Sequence, residues 1–339
     1  FIHWKFEPFK TTLHEPSAFS QGALMPINIP TGLPAKEILD DERIFAFEEN
    51  VASKQHMRPL RVVLLNLMPK KIETETQILR LISKSPLQVD MDFMCMASHE
   101  SKNTPHDHLV KFYDTFEAFR NRRYDALVIT GAPVEEMDFE DVDYWDELVE
   151  VMKWSRTNVY STLHICWGAL AGLYFHHGVN KVALPSKLFG VFATRLTDEY
   201  NFLTNGFDER FFMPHSRHAG IDLAQLDEHI GRDLYALGTS PVTGPSILAT
   251  SDMRQVFITG HLEYAKGTLD AEYRRDLGLG RPIDMPRNYY PDDDPANEPC
   301  LTWRSHANLL YQNWLNYFVY QTTPYDISNI RPIPATEDL

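Results

Sequence analysis

The chain is short of cysteine, of positive charge and of long apolar runs, and each shortage narrows what it can be. Its three cysteines, Cys95, Cys166 and Cys300, cannot build a disulfide framework. No C-x-x-C pair offers zinc ligands, so no metal site is expected, and free thiols fit a cytoplasmic location. There are 32 Lys and Arg against 47 Asp and Glu, which leaves a net charge of -15. Nucleic acid is therefore not an expected partner, because a phosphate backbone has to be met by a basic surface. A local basic pocket for a phosphorylated cofactor is still compatible with that balance. No window reaches the roughly 20 apolar residues that cross a bilayer. With a mean hydropathy of -0.33, no membrane partner is expected either.

Core material is ample: 43% of the 339 residues are hydrophobic, enough for one large domain or two. Phe1 to Leu24 is aromatic-rich, has no clear period and lacks the basic start and apolar core of a signal peptide. It is set aside as a tag, an upstream translation or a loose arm. Met25-Pro-Ile-Asn-Ile-Pro30 reads as a natural start. Residues 25–329 then form a single domain, and residues 330–339 a C-terminal tail.

Inside that domain, buried-strand runs alternate with helical segments. Arg61 to Leu67, Val89 to Met96, Tyr124 to Thr130 and Asn158 to Ile165 have the apolar and β-branched composition of strands covered on both faces. Helices are predicted from Lys36 to Phe47, from the turn at Met68 to about Ser83, from Phe112 to Arg122 and from Asp141 to Trp154. Such alternation predicts an α/β fold, a mostly parallel sheet with helices on both faces. Ligands bind at the carboxyl ends of strands in these sheets, which brings Thr130 to Glu136 to the same side as Cys166. After His177 come short strands: Leu188 to Leu196, Phe211 to Ser216, Leu234 to Thr239, Ser246 to Ser251 and Gln255 to Gly260. A helix from Ala265 to Leu277, a proline-rich crossing from Arg281 to Pro299 and a helix from Thr302 to Tyr320 close the chain.

Cys166 sits where a buried strand turns at once into a helix of small and apolar residues, Trp167 to His177. A residue at such a turn is strained and exposed at the end of the sheet. The next backbone N–H groups, starting with Trp167, point out of the helix N-terminus, whose partial positive charge favours a thiolate and an oxyanion formed beside it. Position alone leaves both a nucleophile and a buried structural thiol open. A thiol nucleophile needs a base, and the base needs an orienting group. Gly260-His261-Leu-Glu263 supplies both, because residues two apart in an extended segment face the same side. Taken alone the His-x-Glu pair is weak evidence in a chain with 14 histidines. Together with Cys166 it becomes informative.

This arrangement resembles the class I glutamine amidotransferase-like (flavodoxin-like) folds, and more closely one branch of them, the homoserine O-acyltransferases of methionine biosynthesis. The resemblance runs from Met25 to about Asn329. It is carried by Met25-Pro-Ile-Asn-Ile-Pro30, Asn66-Leu-Met-Pro-Lys-Lys-Ile-Glu-Thr-Glu-Thr-Gln77, Thr130-Gly-Ala-Pro133, Cys166-Trp167, Phe212-Met-Pro-His-Ser-Arg217 and His261-Leu-Glu-Tyr264. His164 stands where amidotransferases usually place glycine, which fits the acyltransferase branch and counts against glutamine hydrolysis.

The resemblance implies that Cys166 takes an acyl group from acyl-CoA and that His261, oriented by Glu263, activates the hydroxyl of L-homoserine. It implies substrate-binding roles for Lys187, Ser216 and Arg275, with Arg275 favoured over the adjacent Arg274 to grip the homoserine carboxylate. Lys71 matches a family lysine near the acyl site, and the Trp167 N–H is an oxyanion candidate. Glu135 occupies the position associated with donor choice, glycine in the succinyl-CoA users, so acetyl-CoA is the expected co-substrate. No permanently bound cofactor is expected, and a homodimer is. The rival readings are the same reaction with succinyl-CoA, a glutamine amidotransferase or cysteine hydrolase of the same fold, and a non-catalytic binding protein with an inert Cys166.

Overall fold

Tyr124–Ile129 is buried at every position and Leu60–Leu65 at all but Arg61, so neither run can serve as an amphipathic edge. Both lie in the middle of a sheet. The structure is a computed structural model and describes residues 27–41, 46–48, 58–99, 103–198 and 201–334. The expected leading segment, Phe1 to Leu24, lies outside the described residues, as does the end of the expected tail.

The first part of the sheet is parallel: β1 (Ile27–Ile29), β2 (Ala46–Glu48), β3 (Leu60–Leu65), β4 (Val89–Cys95), the two-residue β5 (Asp114–Thr115), β6 (Tyr124–Ile129) and β7 (Val159–Ile165). The second part holds β8 (Lys181–Leu196), β9 (Arg210–Ile221), β10 (Leu234–Ser240), β11 (Gly244–Thr250) and β12 (Gln255–Ile258). The order across the sheet is β2-β1-β4-β3-β6-β7-β12-β11-β10-β8-β9, with β5 beside β4. Strand β12 is parallel to β7, and every pairing beyond it is antiparallel. A mostly parallel sheet was expected and is found.

Helices α1 (Ala35–Asp41) and α2 (Lys71–Ile82) cover one face. The opposite face is covered by α4 (Trp145–Asn158) and α5 (Trp167–His177), with the short α3 (His106–Phe112) between the two pairs in sequence. After the sheet come α6 (Thr268–Gly278) and α7 (Arg304–Asn313), the latter packed against α2. Two apolar cores result, one on each side. Helix α5 stops at Gly178, whose φ of 70° lets its N–H and that of Val179 reach back to Tyr174 and Leu173.

Several predicted boundaries move. The helix expected from Lys36 to Phe47 ends at Asp41, and Ala46–Glu48 is a strand pairing with β1. The helix expected over 112–122 is displaced: α3 ends at Phe112, and a single turn, Phe116–Phe119, follows β5. The closing helix runs as α7 to Asn313 and then widens into π-type turns over Trp314–Tyr320. Strand β8 starts at Lys181, seven residues before the expected Leu188, because it carries an irregularity between Ala183 and Leu188 that breaks the alternation.

Candidate active site

Parallel pairing of β7 with β12 puts Ile165 opposite Ile258, so the segments leaving both strands emerge side by side. Cys166 is the first residue beyond β7, and its N–H still donates to Ile258 O at 2.7 Å. Its backbone then reverses, with φ 51° and ψ -115°. That is a region a residue with a Cβ rarely enters, and its cost is accepted at sites of function. Helix α5 begins at the next residue, and Cys166 O takes the first helical hydrogen bonds from Ala169 and Leu170. The predicted strained elbow is therefore present. Cys166 is nevertheless buried at 6% exposure and not open to solvent as expected, because the β6 loop and the segment after β12 close over it. Gly168 makes the elbow possible, since a Cβ there would lie 2.5 Å from Thr130 O.

Beyond β12, Gly260 passes against β9 so closely that a Cβ would meet Met213 Sδ at 2.5 Å. The His261 N–H donates to Pro214 O at 2.8 Å, which fixes the backbone. His261 Nδ1 and Glu263 Oε1 are 2.6 Å apart and both side chains are buried. Their meeting was expected from strand alternation, but β12 ends at Ile258. A turn closed by Tyr264 N to His261 O brings them together instead. Gly131, in the loop after β6, lies over Cys166 and His261 at once. A Cβ on it would sit 3.2 Å from Cys166 Cβ and 3.4 Å from His261 Cε1. Burial alone would lower the His261 pKa, but the charges of Cys166 and Glu263 and hydrogen bonds to both raise it well above the ordinary histidine value. The ring thus lies between the Cys166 sulfur and the Glu263 carboxylate, a place from which it can carry a proton.

Cys166 and His261 open into a cavity of about 570 Å³ that is also lined by Lys187, Ser216, Arg275 and Glu135. Six predicted residues thus share one space, although they come from separate elements. Arg275 lies on α6 and its guanidinium makes a two-point contact with Asp276, Nε to Oδ1 at 2.8 Å and Nη2 to Oδ2 at 2.9 Å. Arg274 points elsewhere, to Asp270 and Pro295 O, and is not part of the cavity. Glu135 accepts weakly from the His218 N–H at 3.4 Å.

Two further predicted residues do not line this cavity with their side chains. Lys71 is buried at the start of α2 and lines an adjoining cavity of about 450 Å³, not the one that holds Cys166. Its ammonium donates to the carbonyls of Asn66 and Met68, and burial pushes its pKa down to about 8. The Trp167 side chain is fully buried in the apolar core on the α5 side of the sheet, leaving only its backbone at the elbow.

Sequence reasoning missed Glu272 and Tyr264. Glu272 reaches into the cavity from α6, where Oε2 accepts from Ser216 Oγ at 2.6 Å and lies 3.5 Å from Lys187 Nζ. It stands three residues before Arg275, one helical turn, and that spacing was a usable signal. His164 is buried with its imidazole stacked on Phe257 at 4.8 Å, filling space that only glycine at position 172 leaves free. Burial pushes its pKa down to about 3.

A family model described as homoserine O-succinyltransferase matches residues 26–325. A Bifidobacterium adolescentis protein named homoserine O-acetyltransferase is 56% identical over 307 residues, covering 90% of this chain and 88% of that one. A Bacteroides thetaiotaomicron protein of the same name is 52% identical over 309 residues, covering 90% and 100%. Among solved structures, a glutamine amidotransferase from Thermotoga maritima superposes with a TM-score of 0.50 at 13% identity, covering 76% of this chain and 98% of that one. At that identity the likeness shows the fold alone, which is class I glutamine amidotransferase-like.

Proposed function

This chain belongs to the homoserine O-succinyltransferase family, and on that premise we propose that it transfers an acetyl group from acetyl-CoA to the hydroxyl of L-homoserine through a Cys166 acyl-enzyme. The observation that carries the reading is one cavity that joins a strained thiol and a carboxylate-backed imidazole to charges suited to an amino acid. In the first step the Cys166 sulfur attacks the thioester carbonyl and the bond to the CoA sulfur breaks. The departing CoA thiolate takes a proton from the His261 imidazolium. Next, His261 removes the hydroxyl proton of homoserine, whose oxygen attacks the acyl-enzyme, and the Cys166 sulfur leaves. In this reading the Trp167 N–H, first in α5, stabilises the oxyanion formed in each step.

Homoserine is a zwitterion, and the cavity offers a complement for each end. Arg275 and Lys187 suit its carboxylate, while Glu272, held by Ser216, suits its ammonium. Acetyl is favoured over succinyl because Glu135 sets a carboxylate in the cavity where the distal carboxylate of a succinyl chain would lie. The product, O-acetyl-L-homoserine, would feed methionine biosynthesis, and the reading includes a cytoplasmic homodimer. The test follows CoA thiol release from acetyl-CoA with and without homoserine, alongside intact-protein mass spectrometry. An acetyl adduct on Cys166 that homoserine discharges supports the reading. Release of ammonia from glutamine with no adduct would turn it towards an amidotransferase.

A further inference from the structure

Tyr264 touches both halves of the cavity, although it is neither the nucleophile nor the base. Its ring lies flat against the His261 imidazole, with centroids 4.1 Å apart and planes 13° from parallel. Its hydroxyl donates to Glu272 Oε1 at 3.1 Å, while the other oxygen of Glu272 is held by Ser216 and Lys187. Trp303 Nε1 donates to the Tyr264 carbonyl at 3.0 Å and pins the backbone. The residue is 6% exposed, and burial first, then the charge of Glu272, raises the phenol pKa well above its ordinary value, so the hydroxyl stays a donor.

We propose that Tyr264 is a positioning residue that couples homoserine recognition at Glu272 to the placement of the His261 ring. The proposal rests on reading the cavity as a homoserine site. Glu263 fixes one edge of the imidazole but leaves the ring free to tilt about that contact. The aromatic face of Tyr264 removes the tilt, and it favours the protonated ring, whose charge meets the π cloud. At its other end the hydroxyl fixes the carboxylate that receives the ammonium. An ammonium drawn to Glu272 therefore pulls on the same rigid side chain against which the base rests.

The two contacts can be removed separately. Tyr264→Phe keeps the ring and deletes only the hydroxyl, a substitution small enough for a buried site. Tyr264→Leu deletes the flat face. Each variant is compared with wild type in acyl-enzyme formation, by rapid mixing with acetyl-CoA and intact mass, and in steady-state kcat and homoserine KM. For the Phe variant, homoserine KM should rise on the order of tenfold, the worth of a hydrogen bond to a charged group, with acylation within twofold of wild type. For the Leu variant, acylation and kcat should both fall tenfold or more. A Phe variant with wild-type homoserine KM overturns the coupling whether or not the Leu variant folds, and so does a folded Leu variant that acylates normally. If wild-type protein forms no adduct on Cys166, the functional reading has failed and takes the proposal with it. An adduct in wild type with an unchanged KM in the Phe variant sinks the proposal alone.

Discussion

Lowering the pH from 7.5 to 5.5 should cost this protein a large share of its stability, and the cost can be worked from three buried imidazoles. His164, His176 and His215 are all buried. Burial is the leading cause that pushes His164 down to about 3 and holds His176 and His215 well below the ordinary histidine value. The unfolded chain binds a proton at each of these positions near pH 6.5, whereas the folded chain does not. Their stabilising contribution is therefore present above pH 6.5 and lost as the pH falls towards the folded values. Between pH 7.5 and 5.5 each such group costs about 1.4 kcal/mol, so the three together cost about 4 kcal/mol. Domains are stable by only about 5–15 kcal/mol, so this is not a small correction. His177, lowered by burial but supported by Asp233, adds less. His261 works the other way: its folded value is raised, so it is already protonated in the native state and loses nothing in acid. The assay is urea unfolding followed by tryptophan fluorescence at pH 7.5, 6.5 and 5.5, a window above the range in which carboxylates titrate. His164→Leu deletes one of the three groups and should reduce the loss by about 1.4 kcal/mol. A wild-type loss under about 1 kcal/mol, or an equal loss in the variant, would refute the reasoning.

The remaining predictions address chemistry and recognition. Cys166→Ser and His261→Ala should each abolish nearly all transfer while circular dichroism shows both folded, because members of one catalytic unit are not additive. Arg275→Ala should raise the homoserine requirement by roughly tenfold to a hundredfold and leave acyl-enzyme formation intact. If acylation fails instead, Arg275 serves the donor. Glu135→Gly should admit succinyl-CoA, since two carboxylates about 4 Å apart repel by roughly 4 kcal/mol at an effective dielectric near 20. A wild-type preference for succinyl-CoA would end that argument without touching Cys166, His261 or Glu263.

What was legible in the sequence follows from how local each signal is. Strands β3, β6 and β7 are buried on both faces, and burial on both faces writes itself as a continuous apolar run, whereas β4 alternates, with Asp90 and Asp92 half-buried. Cys166 was legible because a strand run collides with Gly168 and Ala169 in two steps, which leaves no room for a loop. The antiparallel half was harder. The first residues of β8, Lys181 to Lys187, are mostly exposed and include Pro185, so they read as a loop although Lys181 to Ala183 pair with β9. The surroundings of Lys71 were not legible for a different reason. The resemblance implied a place near the acyl site, whereas its ammonium donates to the carbonyls of Asn66 and Met68, contacts that no spacing announces.

The contacts of Tyr264 lay beyond sequence reasoning, although the residue stands in the His261-Leu-Glu-Tyr264 motif, and the reason bears on how such a site is built. A helix or strand announces itself through a period, and a catalytic pair through a spacing. Tyr264 has neither, because its two contacts face opposite ways, one to His261 three residues back and one to Glu272 on α6. Only the turn at His261 to Tyr264, pinned by Trp303 far along the chain, brings them into line. The same turn explains why His261 and Glu263 met for a reason other than the one expected. Strand alternation would have set both side chains on one face and the Tyr264 ring on the opposite one. The turn that replaces it keeps the pair and adds the ring, so the departure from a regular strand is what lets one short segment hold the His261 imidazole from its edge and from its face.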